Sequence, residues 1–359
     1  MPRSSIPKTI LLVLGLLTLL SLEISLYPNS RSSSPLPNQS YGAPSYGFGG
    51  YELIRPTTEV GAQWRVPKIA AQSGDGNAST WIAAQSESQQ FIQLGTTENK
   101  VDAVSQYEIF WSDVAVSFHP QQLLEVNPGD LIKFTMNQTS GGWRLHYYDV
   151  TQKVPETVTI PYARGSSFNS AQWYQEDPTV GGLTVHLTYP SVSLTTFRHM
   201  SVDGVKPQLT ADDRSVLSTA DGIYLIPSGV TQDHFTYANA TGPARQYLSD
   251  VFAYNAALYP FQVDMFYKRS PTSTVMSHLR STLATLGTKL KTQHWPPSLT
   301  SAVKGDQKLV AAYAKLFQTF PTAPKPLSES ALARLSIVTR DNYLYSDVLR
   351  EQLGLPPTH

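Results

Sequence analysis

Alternation with a period of two fills the middle of this chain and gives way to a helical period near residue 240. After the turn Asn127-Pro128-Gly129-Asp130, the residues Ile132, Phe134 and Met136 alternate with polar partners. Trp143, Leu145 and Tyr147 do the same after Gly141-Gly142, and Leu183, Val185, Leu187 and Tyr189 further on. Successive strand side chains point to opposite faces, so each run buries one face only. Many such runs parted by Gly, Pro and Asn turns predict a mainly β fold, two antiparallel sheets packed face to face. Within Tyr107–Phe118 the alternation 107/109/111 changes phase to 114/116/118 across Ser112-Asp113, which predicts a bulge or bend in a continuing strand.

Beyond residue 240 the apolar residues recur at helical spacing. Val275, Leu279, Leu283, Leu286 and Leu290 form one stripe, and Leu309, Tyr313, Leu316, Phe317 and Phe320 a second. Pro243 suits the first turn of a helix running to about Tyr259, and Leu344, Val348, Leu349 and Leu353 precede a stop at Gly354 and Pro356. The stripes read as packing faces, and residues 241–359 as a helical region.

The amino terminus carries Arg3 and Lys8 before an uncharged apolar run, Thr9–Leu22. Residues 1–27 therefore read as a leader, either a cleaved signal peptide or an uncleaved membrane anchor. Residues 28–45, rich in Ser, Pro, Asn, Gly and Tyr, read as a flexible tether. The rest is expected on the far side of a membrane, secreted or anchored. The 359 residues include no cysteine, which excludes disulfides, thiolate metal sites and cysteine nucleophiles. Twenty-seven basic residues balance 27 acidic ones, so no electrostatic argument points to nucleic acid.

Most common catalytic signatures are absent: no Asp-Thr-Gly, no Gly-x-Ser-x-Gly, no His-Glu-x-x-His and no phosphate loop. The histidines show no ligand spacing, and no cofactor is expected. Two segments stand out instead. One runs from Ala78-Ser-Thr-Trp81 to Phe91-Ile-Gln93-Leu-Gly95, the other is Ser170-Ala-Gln172-Trp173-Tyr174-Gln-Glu176-Asp-Pro178. In a strand, Gln172, Tyr174 and Glu176 share one face while Ala171, Trp173 and Gln175 share the other.

In order and spacing, residues 46–240 resemble the eqolisins, or glutamic peptidases, which have a concanavalin A-like jelly-roll sandwich. Tyr46-Gly-Phe-Gly-Gly-Tyr51 is similar to the family's opening strand, and Val60-Gly-Ala-Gln-Trp-Arg-Val-Pro67 to the next. Trp81 and Ile92-Gln93-Leu94-Gly95 resemble the tryptophan strand and the strand of the catalytic glutamine. Tyr107–Trp111 and Val126–Ile132 match two further strands, and Tyr224–Ser228 with His234–Tyr237 the closing pair. The second segment is similar to "Ala-Glu-Trp-Ile-Val-Glu", and there the resemblance puts the catalytic glutamate at Gln172.

That exchange matters chemically. The resemblance implies a glutamate that activates water and a glutamine, here Gln93, that positions it and stabilises the oxyanion. A carboxamide accepts hydrogen bonds but is a negligible base, and losing general-base help costs ~10²–10⁴-fold. Glu176 shares the face of Gln172 but lies roughly 13 Å along the strand at ~3.3 Å per residue, too far to replace the base. The expected function is a peptidase-like module with reduced or absent endopeptidase activity that binds extended peptides or unfolded protein. Trp81, Trp111, Trp173, Tyr174 and Glu176 are the candidate lining, with the sandwich core as the alternative place for the tryptophans. Two other functions compete: an active acid endopeptidase using Gln93 with a substitute carboxylate, and a glycan-binding jelly roll.

Overall fold

The computed structural model describes residues 47–88, 90–178, 188–266 and 269–356. The expected leader and tether, and the Leu183–Leu187 run, lie outside them. The chain divides into two compact units, one ending at Ala240 and the other running on from Thr241.

The first unit is a sandwich of two antiparallel sheets. The seven-stranded sheet has the order β12 (Arg214–Ser215), β1 (Phe48–Thr57), β10 (Phe168–Glu176), β3 (Gly76–Gln85), β4 (Phe91–Val101), β5 (Val104–Asp113), β6 (Gln121–Glu125), and the eight-stranded one β13 (Leu217–Ser218), β14 (Tyr224–Pro227), β15 (Phe235–Asn239), β11 (Thr196–Val202), β2 (Glu59–Arg65), β7 (Leu131–Thr139), β8 (Gly142–Asp149), β9 (Val154–Ile160). The strands that position the site are β1 (Phe48–Thr57), β3 (Gly76–Gln85), β4 (Phe91–Val101), β5 (Val104–Asp113) and β10 (Phe168–Glu176), all in the first sheet. In the second sheet, β2 (Glu59–Arg65) pairs with β7 (Leu131–Thr139), which pairs with β8 (Gly142–Asp149). β14 (Tyr224–Pro227) and β15 (Phe235–Asn239) form the closing pair.

The core between the sheets is aromatic. Trp64 stacks on Phe134 with ring centroids 4.2 Å apart, Phe197 stacks on Phe235 at 5.0 Å, and Trp143 meets Phe168 edge-on. The alternation read from the sequence is explained by this layer: Ile132, Phe134, Met136, Trp143 and Leu145 are all fully buried. The phase change after Trp111 has a different cause from a bulge. β5 ends at Asp113, whose Oδ1 accepts the backbone N–H groups of Ala115 and Val116, so the chain leaves the sheet in a capped turn.

The second unit is helical: α1 (Gly242–Phe266), α2 (Ser273–Thr292), α3 (Thr300–Gln318) and α4 (Glu329–Gln352). α1 continues past Tyr259, through Pro260. Thr272 and Ser328 cap α2 and α4 by accepting N–H groups three residues on. Met276, Leu279, Leu283, Leu286 and Leu290 form the buried stripe of α2, with Met276 inside where the spacing had suggested Val275. At the end of α4, Gly354 adopts φ +71° and the Leu355 N–H bonds back to the Arg350 carbonyl, the stop expected at that glycine. Among the described residues no helix is long and apolar enough to cross a membrane.

Candidate active site

Strand register builds the site. Residues directly opposite one another in neighbouring strands present their side chains on the same face. Across the seven-stranded sheet, Glu52, Gln172, Ala83, Gln93 and Ser112 stand in one row. Gly50, Tyr174, Trp81, Gly95 and Phe110 form the next, and Phe48, Glu176, Ser79, Thr97 and Glu108 the one after. These rows lie on the outer face of the sheet, turned away from the inter-sheet core, to which Ile82, Ala84, Ile92, Leu94, Ile109, Ala171 and Trp173 belong.

Gln93 and Gln172 are thus on one face, with only the methyl of Ala83 between them and backbones roughly 10 Å apart at ~4.8 Å per strand. Both are enclosed: Gln172 has no exposed surface and Gln93 keeps 6%. The Gln93 amide nitrogen donates to Ser112 Oγ at 2.5 Å. The Gln172 amide nitrogen faces three acceptors, Glu52 Oε1 and Gln85 Oε1 at 3.0 Å each and Ser170 Oγ at 3.1 Å. The amide oxygens of Gln93 and Gln172 have no hydrogen-bond partner among the described residues. The orientations differ in freedom. Ser112 can donate as well as accept, so Gln93 can turn and present N–H groups. Gln172 is fixed with nitrogen toward a carboxylate, because its oxygen would be repelled there.

Glu52 is only partly buried, and its Oε1 also accepts from Ser170 Oγ at 2.5 Å. Burial raises its pKa above the usual carboxylate value; the bonds from Ser170 and Gln172 oppose that, and the charge of Asp213 adds to it. The second outer-face carboxylate, Glu176, receives the Trp81 indole N–H at 2.6 Å and the Ser79 hydroxyl at 3.0 Å. Burial dominates there too and pushes Glu176 up to about 7.

Of the residues singled out from the sequence, the outer face brings together Gln93, Gln172, Trp81, Tyr174 and Glu176. Trp81 packs edge-on against Tyr174, Phe48 and Phe91. Trp173 and Trp111 stand on the opposite face. Trp173 donates to the Gly61 carbonyl of β2, and Trp111 packs against the inter-sheet core, so both take the core place rather than the lining. Glu52, Gln85, Ser170 and Ser112 were not singled out. The alternation 48/50/52 in the opening strand would have put Glu52 on the face of Phe48, but its partner strand lies 120 residues away.

Gly95 is required by this packing. A Cβ there would sit 2.1 Å from the Thr80 carbonyl oxygen and 2.6 Å from the Trp81 Cα. Glycine lets β4 carry Gln93 past the tryptophan strand at normal spacing. Among the described residues no cluster of three or more His, Asp or Glu side chains is placed to hold a metal.

Solved structures with a similar fold are glutamic peptidases. Scytalido-glutamic peptidase with a transition state analog inhibitor is 16% identical, covering 54% of this chain and 98% of its own at a TM-score of 0.42. Aspergilloglutamic peptidase from Aspergillus niger is also 16% identical, covering 46% and 99% at 0.31. SCP-B, described as a member of the eqolisin family in complex with the tripeptide Ala-Ile-His, is 15% identical over 54% and 98%, at 0.39. No curated protein matches the chain. The Peptidase A4 family matches it over residues 47–237, the whole of the described sandwich but its last few residues, and the chain belongs to that family.

Proposed function

We propose that this chain is an exported or membrane-anchored, glutamic-peptidase-like protein that binds extended peptides on the outer face of its seven-stranded sheet, with endopeptidase activity well below that of a site bearing a glutamate at position 172. The apolar start of the sequence supports export, and residues 46–240 and 241–359 are taken as separate sandwich and helical domains. The observation that carries the reading is the amide pair itself. Gln93 offers a peptide an amide that turns either way, and Gln172 offers an acceptor held in place by Glu52. An extended peptide alternates N–H and C=O groups, which such a pair can meet. Neither amide can take a proton from water, so positions 93 and 172 supply no general base of their own.

Fluorescein-labelled casein serves as one probe for both properties. Anisotropy should report binding, and cleavage from pH 2 to 8 should rise ~10²-fold or more in Gln172→Glu over the wild type. Equal, substantial cleavage by both proteins would overturn the reading of position 172, and absence of binding by either would overturn peptide recognition.

A further inference from the structure

Resting on that reading, we infer that Glu52 is the catalytic carboxylate of this site: the acid and amide pair is kept but moved by one strand, to Glu52 and Gln172.

Three observations carry this. Glu52 stands directly opposite Gln172 in the β1–β10 pair, on the same face, with Oε1 3.0 Å from the amide nitrogen. Among the described residues, Glu176 and Glu108 stand two rows from Gln172, Glu176 held there by Trp81 and Ser79, whereas Glu52 stands in the same row as Gln172. Glu52 also keeps part of its surface open where Gln172 has none. A glutamate at 172 beside an ionised Glu52 would put two negative charges in hydrogen-bond contact, and the two would share a proton. The carboxylate and amide at 52 and 172 avoid that conflict.

The reaction balances without a further reagent. Ionised Glu52 removes one proton from a water as its oxygen bonds to the peptide carbonyl carbon. The carbonyl electrons move onto oxygen, while the Gln172 N–H stays on Glu52 and holds the acid in place. The C–N bond then breaks, the proton on Glu52 passes to the leaving nitrogen, and a carboxylic acid and an amine are released. The groups around Glu52 that set its proton affinity are Asp213, Tyr174, Ser170 and Gln172. With burial raising that affinity, cleavage belongs to mildly acid solution, where Glu52 is partly ionised and basic enough to work.

The test compares the wild type with Glu52→Gln, and with the exchange of both residues, Glu52→Gln with Gln172→Glu. Wild-type protein should cleave the labelled casein slowly in acid solution. Glu52→Gln should lose ~10²-fold or more of that, and the double exchange should restore it. Gln93→Ala should cost less than Glu52→Gln, since Gln93 is three strands from the acid. No wild-type cleavage at any pH, or full cleavage by Glu52→Gln, would overturn the inference; persistent binding in either case leaves the peptide-binding reading standing. If Glu52→Gln fails to fold, Glu52→Asp decides. A tenfold or larger loss of cleavage with intact binding supports the inference, and unchanged cleavage overturns it.

Discussion

The two faces of the seven-stranded sheet are both closed to solvent at their centres, yet they are closed in different ways. On the inner face Trp173, Ile82, Leu94 and Ala171 meet the other sheet, and the Trp173 indole has a backbone carbonyl for its N–H. On the outer face Trp81 and Gln172 are just as buried, but their neighbours are carboxylates, amides and hydroxyls. Burial therefore does not separate core from site in this molecule. The chemistry of what is buried does. An enclosed amide oxygen without a partner is costly in a core and useful where a ligand is to be met.

This contrast can be broken from the inner side first. Trp173→Ala should destabilise the sandwich by about 3–5 kcal/mol, because it leaves a large cavity between the sheets. Chemical unfolding of the variant measures it, and a loss below ~1 kcal/mol would mean that Trp173 is not core.

The outer face should instead respond to pH. Glu176 is raised from 4.5 to about 7, so the folded state holds a proton that the unfolded chain releases. Its contribution is fully present below about pH 4.5 and is lost as pH rises toward 7, on the order of 3 kcal/mol. Buried Glu98 and partly buried Glu52 are shifted in the same direction. Unfolding midpoints should fall between pH 4 and 7.5, and Glu176→Gln should flatten the slope. A slope unchanged in that variant would remove Glu176 as its source. A smaller change sharpens the same point. Trp81→Phe deletes the indole donor to Glu176 at a cost of ~1–3 kcal/mol and moves the pH transition upward, since the ionised carboxylate loses a stabilising bond.

The alternation in the sequence made the inner face legible: Ile132, Phe134, Met136, Trp143 and Leu145 are the core, and the strand bearing 172, 174 and 176 presents them together. Trp111 and Trp173 were less clear, because an aromatic residue suits a core and a peptide groove equally, and only its facing sheet distinguishes them. A bulge, a bend and a strand end all break the alternation at Ser112-Asp113; the carboxylate cap on Ala115 and Val116 marks the end of the strand. Glu52 could not be found from local pattern at all. A lone glutamate after Gly49-Gly50 carries no sign of the strand it will face.

That last pairing has a consequence for how the molecule comes into being. β1 finds its sheet neighbour only when β10 exists, and the Tyr237 hydroxyl, which donates to the Gly49 carbonyl, arrives 188 residues after it. Contacts so distant along the chain delay the ordering transition, placing such sandwiches among folders that need milliseconds to seconds. During synthesis the first strand waits as an unpaired edge, open to the wrong neighbour, until β10 has emerged. The acid at position 52 consequently meets its amide only late in assembly. A half-made chain carries both residues of the pair before it carries any site.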